Sequence, residues 1–121
     1  MTPNDFRRLA LSFPGAEEKS HMNHPDFRAN GRIFATLSHA KMSLGMVKLT
    51  PIEQEMFCKS EPEMFTPVPG GWGRMGCTHV ILKAAKKASV QKAMEAAWQL
   101  ATTMKPSKKA LKAAATKKTK R

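Results

Sequence analysis

Asn30-Gly31 stands between Phe27-Arg28-Ala29 and Arg32-Ile33-Phe34, and Asn-Gly is the pair best suited to the two positive-φ positions of a type I′ turn. The pattern predicts a β-hairpin, and with it an antiparallel sheet. A period of two on the second strand puts Ile33, Ala35 and Leu37 on one face. Residues 42–49 are the next strand candidate. Thr50-Pro51 then predicts a switch from strand to helix, because threonine caps a helix well and proline at the first helical position has no N–H to lose. A short helix is expected over residues 51–57.

Both chain ends read as helices. Thr2-Pro3 repeats the cap-plus-proline device, and Phe6, Leu9, Ala10 and Phe13 fall on one face before Pro14-Gly15 ends the run. Arg7 and Arg8 are expected on its solvated side. Ser89 is the expected cap of a final helix whose stripe is Val90, Ala93, Met94, Ala97, Trp98 and Ala101, with Pro106 as its stop. Between them, Pro62, Pro67, Pro69, Gly70, Gly71, Gly73 and Gly76 break any long element. They leave a short extended piece around Phe65 and a loop carrying Trp72, and residues 78–82 make a last strand. The expected fold class is α+β, an antiparallel sheet with the N- and C-terminal helices packed on it. Met56, Met64 and Met94 lie in apolar patterns and are expected in the core, where methionine fills gaps.

At 121 residues the chain is one domain's worth of material, which argues against an enzyme with separate cofactor and substrate lobes. It carries 21 Lys and Arg against 9 Asp and Glu, a formal charge of +12. The excess is concentrated. Residues 105–121 hold 8 cations and no acid, leaving 13 cations and all 9 acids in residues 1–104. The reading is therefore an ordinary domain over 1–104 followed by a Lys/Ala-rich tail over 105–121, which cannot bury a core and is expected to be disordered alone. No apolar stretch approaches the ~18 residues of a membrane helix, so no membrane partner is expected. Cys58 and Cys77 are isolated thiols, and the polar opening Thr2-Pro3-Asn4-Asp5 does not read as a signal peptide, so a cytoplasmic protein is expected.

Phe13-Pro14-Gly15-Ala16-Glu17-Glu18, His24-Pro25-Asp26-Phe27-Arg28, Gly31-Arg32-Ile33-Phe34-Ala35 and Val47-Lys48-Leu49 occur in the order and spacing of a known family. Pro62-Glu63-Met64-Phe65 with Pro67, the Trp72-Gly73 loop and Ala96-Ala97-Trp98 continue the pattern. The set resembles the MmcQ/YjbR family over the whole body and none of the tail. That resemblance implies a fold like that of bacterial frataxin, also described as a double-wing DNA-binding arrangement, and brings no established catalytic residues. Iron binding in frataxins depends on clustered carboxylates along the first helix and the adjoining strand edge. Here the first helix offers Asp5 alone, and the adjacent Glu17 and Glu18 point apart on a strand, so that property is not expected.

Nucleic acid is the expected partner, duplex DNA with low sequence specificity. Each tail cation that neutralises a phosphate releases counterion, and all eight together would give a log–log salt slope of about −7. The tail candidates are Lys105, Lys108, Lys109, Lys112, Lys117, Lys118, Lys120 and Arg121. In the body, Arg28 and Arg32 flank the hairpin turn, and Lys41, Lys48 and Arg74 join them if the sheet gathers its loops at one edge. The bland reading of these body charges is a solvated hairpin that resists edge aggregation. Trp72 is suited to stack on a base or ligand, or equally to cover an open end of the sheet.

His21 and His24 are spaced for a shared zinc ion, but nothing in the spacing selects a third ligand among His39, His79, Cys58, Cys77 and Asp26, and no metal or cofactor is expected. Cys58 with His79 lacks any nucleophile signature, so no enzyme activity is expected. A monomer is the expected state. The alternative class is a non-enzymatic ligand- or protein-interaction module with a pocket between the sheet and the Trp72 loop and an incidental tail.

Overall fold

The structure, a computed structural model, describes residues 1–21, 24–37 and 43–103. Helix α1 (Pro3–Leu11) begins as its sequence dictates. Thr2 Oγ1 accepts from the Asp5 N–H and the Asp5 carboxylate accepts from the Thr2 N–H, a reciprocal cap with proline at the first turn. These hydrogen bonds hold the Asp5 carboxyl below its ordinary pKa. Phe6, Leu9 and Ala10 are buried. Of the two arginines expected outward, Arg8 is exposed and Arg7 is half-buried, its Nε 3.0 Å from Glu18 Oε1 and its Nη1 donating to Asn4 Oδ1.

Strands β1 (Glu17–His21), β2 (His24–Ala29), β3 (Arg32–Leu37), β4 (Leu44–Lys48), β5 (Phe65–Pro67) and β6 (Cys77–Ile81) form one sheet in the order β1-β2-β3-β4-β6-β5. Every neighbouring pair is antiparallel. Asn30 (φ 56°) and Gly31 (φ 72°) make the β2–β3 turn in the left-handed region, as Asn-Gly dictates. Strand β3 departs from simple alternation. Phe27 pairs with Ala35 but Arg28 pairs with Ile33, so Phe34 is an extra residue in the ladder. Phe34 and Ala35 are consequently both buried and Ile33 is only half-buried, which corrects the expected Ile33, Ala35, Leu37 face.

Helix α2 (Pro51–Ser60) starts with a second reciprocal cap between Thr50 and Glu53. Gly71–Arg74 is a one-turn helix, α3, where the sequence suggested an open loop. Gly76 follows at φ 110°, with Leu49 O only 1.8 Å from the point a Cβ would occupy, so no side chain fits between α3 and the end of β4. After a 3₁₀ turn (Leu82–Ala84), helix α4 runs Lys87–Thr103. It begins two residues before the expected cap Ser89, and the expected stop at Pro106 lies outside the described residues.

Helices α1 and α4 lie over β2, β3 and β4, and α2 lies beside β5. The core between them holds Phe6, Phe27, Phe34, Val47, Val80, Val90 and Met94. At its margin Phe13 stacks on Trp98 (5.8 Å) and meets Phe34 edge-on, while Trp98 Nε1 donates to Pro14 O. Phe57 of α2 meets Phe65 edge-on at 5.4 Å. Met64 and Met94 are core residues as expected, whereas Met56 is 62% exposed on α2, a helix with no fully buried residue. No helix among the described residues is long and apolar enough to cross a membrane.

Candidate functional site at the Trp72 end of the sheet

Antiparallel pairing brings the start of β3, the end of β4 and the start of β6 to one end of the sheet. The C-terminal turns of α4 reach the same end, where Asn30 Nδ2 of the hairpin tip donates to Ala101 O at 3.3 Å. A cavity of about 320 Å³ opens between these elements. Its apolar wall comes from Ile33, Leu49, Cys77 and the α4 residues Ala97, Leu100 and Ala101, while Trp72 and Met75 form a rim from α3 and the residue after it. Arg32 and Lys48 supply its charge, and no acidic residue lines it among the described residues. Trp72 is 62% exposed and Met75 70% exposed, with Lys48 Nζ 5.8 Å from the indole centroid. This is a cation–π contact that holds a positive charge beside an available aromatic ring.

Thr50 and Pro51 border the cavity too, but the start of α2 is not an open anion site. Pro51 has no N–H, the Glu53 N–H is taken by Thr50 Oγ1, and the Glu53 carboxylate accepts from both the Thr50 N–H and hydroxyl. Gln54 Nε2 donates to Gly73 O and Cys77 O, both 2.9 Å, and so ties α2 to the segment that carries Trp72. A second hollow, about 570 Å³, runs along α1 from Met1 to Ser12 beside the start of α4. It is larger, but it mixes Asp5 with Arg8 and Lys87 and has no aromatic wall, so it presents neither a single sign of charge nor a stacking surface.

The sequence candidates separate on this geometry. Arg32 and Lys48 come together at the Trp72 cavity. Arg74 follows two residues after Trp72 and is exposed. Arg28 does not join them: it lies on the other side of the hairpin turn, where Nε donates to Asp26 Oδ1 at 2.8 Å and Nη2 to Oδ2 at 3.2 Å. Asp26 is 1% exposed, and its hydrogen bonds raise the Arg28 pKa further. This is a forked pair that holds the guanidinium in place. Lys41 and the tail residues Lys105, Lys108, Lys109, Lys112, Lys117, Lys118, Lys120 and Arg121 lie outside the described residues.

Asp26 also begins a row that crosses the sheet in register, Asp26-Thr36-Met46-His79-Thr66, on the face opposite the core. Burial pushes the His79 imidazole below its ordinary pKa and the Cys58 and Cys77 thiols above theirs. Neither thiol is thereby activated at neutral pH, since the thiolate is the nucleophile. No group of three His, Cys, Asp or Glu side chains is placed to hold a metal ion among the described residues. The sequence pointed to Arg32, Lys48 and Trp72 but missed Met75, Cys77 and Leu100. Leu100 falls outside the expected α4 stripe, and only the position of the hairpin tip shows that this side of the helix has a neighbour.

With the sheet order and the cavity established, comparison with known proteins gives the lineage. The YjbR family model matches residues 11–100. The chain belongs to the YjbR family. A search of curated proteins finds no match. Among solved structures, the YjbR fold seen here is similar to the crystal structure of Deinococcus radiodurans protein DR2400, which carries the DUF419 domain. The TM-score is 0.71 at 16% identity, covering 92% of this chain and 86% of that one. At that identity the likeness speaks for the YjbR fold alone, and it agrees with the α+β architecture expected from the sequence.

Proposed function

We propose that this chain is a non-enzymatic nucleic-acid-binding protein that grips its partner mainly through phosphates. One observation carries the reading. Helix α4, whose sequence continues into the eight-cation tail, ends at the same end of the sheet as Arg32, Lys48 and the hairpin tip. The tail's point of attachment after Thr103 thus lies at the end of the sheet where Arg32 and Lys48 line one cavity, and a one-signed surface is what a phosphate backbone recognises. In this reading the tail supplies most of the affinity and the body sets orientation. Arg28, forked onto Asp26 and absent from the cavity lining, contributes less than the cations that line the cavity.

The test is duplex-DNA affinity at low salt for the full chain and for a chain ending at Met104. The buried core belongs to residues 6–101, so removal of residues 105–121 spares it. The shortened protein is expected to keep the far-UV spectrum and thermal transition of the full chain while binding weaker by orders of magnitude. Equal affinity of the two would contradict the proposal. The competing reading, a small-ligand module with an incidental tail, draws on the same cavity. It would show as ligand binding that survives the truncation and is insensitive to salt.

A further inference from the structure

We infer that the Trp72 cavity is a stacking site for an unpaired nucleobase, so that the chain takes single-stranded nucleic acid in preference to duplex. The inference deepens the phosphate-binding reading and rests on it. The two tryptophans of the chain are used differently. Trp98 is packed against Phe13 and hydrogen-bonded to Pro14 O, whereas Trp72 leaves 62% of its surface uncovered on a one-turn helix and contributes nothing to the core. Gly73 and Gly76 fix that helix closely, since a Cβ at either would meet backbone oxygen within 1.8 Å. The indole is therefore presented on a firm support.

The cavity beside it is about 320 Å³, near the lower end of the about 300–1,000 Å³ usual for small-molecule pockets. Reading a duplex through base edges requires donors and acceptors aimed into a groove. Ile33, Leu49, Trp72 and Met75 offer none of those from their side chains apart from the indole N–H. They offer flat and apolar contact, which suits the face of a base, and that face is hidden in a duplex stack and open in a single strand. Lys48 Nζ lies over one face of the indole, 5.8 Å from its centroid, so a base stacks on the face the ammonium leaves open, with the ammonium within reach of that nucleotide's phosphate and no acid on the lining among the described residues to oppose it. Apolar walls, exposed indole and one-signed charge together fit a nucleotide unit of a single strand.

The experiment uses the full chain, its Trp72→Ala and Trp72→Phe variants, and two probes at one fixed salt concentration, a labelled oligothymidylate and a labelled duplex of equal length. The unsubstituted chain is expected to bind the single strand more tightly than the duplex, with quenching of tryptophan emission by the unlabelled oligothymidylate. Trp72→Ala is expected to weaken single-strand binding by about 5- to 150-fold, the range for one base stacked on an aromatic side chain. It should leave duplex binding and the thermal transition unchanged, and Trp72→Phe should restore most of the loss. If Trp72→Ala changes neither affinity, or lowers both equally, the stacking site is refuted while salt-dependent duplex binding, and with it the phosphate reading, still stands. If neither probe binds the unsubstituted chain at low salt, the phosphate reading itself has failed and the stacking site falls with it.

Discussion

Asp26 shows how a single residue redirects a sequence reading. Two arginines flank the Asn30-Gly31 turn, and by charge alone they are equivalent candidates for a phosphate. Asp26 sits two residues before Arg28 on the same strand and hence on the same face, and the buried carboxylate holds the guanidinium through two hydrogen bonds. The i, i+2 spacing was visible in the sequence. The burial that makes the pair tight was not, because it depends on the neighbouring strands. His79 gives the residue-scale test. Burial lowers its pKa in the folded chain, so between that value and its ordinary value of about 6.5 the unfolded chain binds the extra proton. Its effect on stability is absent above the ordinary value and grows unfavourable as pH falls through the window below. Thermal unfolding from about pH 7.5 down to about pH 5.5 should therefore cost the unsubstituted chain more of its stability than His79→Gln. Parallel pH profiles of the two would show that the imidazole is not desolvated.

At the scale of elements, local chemistry decided the beginnings and tertiary contact decided the rest. Thr2-Pro3 and Thr50-Pro51 start helices where the sequence says they must, each with an acid three residues on that closes the cap from the other side. Thr50→Ala is expected to cost about 1 kcal/mol through loss of the cap, read as a lower urea midpoint at unchanged slope. A change of slope instead would mean that α2 unfolds as a separate unit. The bulge at Phe34 was not legible. A run such as Arg32-Ile33-Phe34-Ala35 alternates equally well in either register, and only the fold shows Phe34 buried against the ring of Phe13 in the strand that α4 packs on. The short helix carrying Trp72 was hidden for a different reason, because four glycines, Gly70, Gly71, Gly73 and Gly76, argue for a loop on propensity alone. The close backbone contacts of Gly73 and Gly76 show why glycine is needed there.

On the scale of the whole molecule, charge and topology say different things that become informative only together. Composition located the positive excess in the last 17 residues and left the body with a modest surplus. It could not say which end of the body the excess is attached to. The antiparallel order answers that: α4 crosses the sheet and finishes beside the hairpin tip, at the cavity where Arg32 and Lys48 already stand. Family and fold were readable from the ordered string of short motifs, since those residues make the turns, caps and core. The cavity was not, because its lining is drawn from six separate elements with no spacing in common. The claim that body and tail act as one phosphate-binding surface is tested most directly by the salt dependence of duplex-DNA binding for the full chain and its Arg32→Gln/Lys48→Gln variant. The account expects the log–log slope to become shallower by about 2 in the variant, one for each phosphate contact removed. An unchanged slope would contradict it, leaving the tail to bind alone.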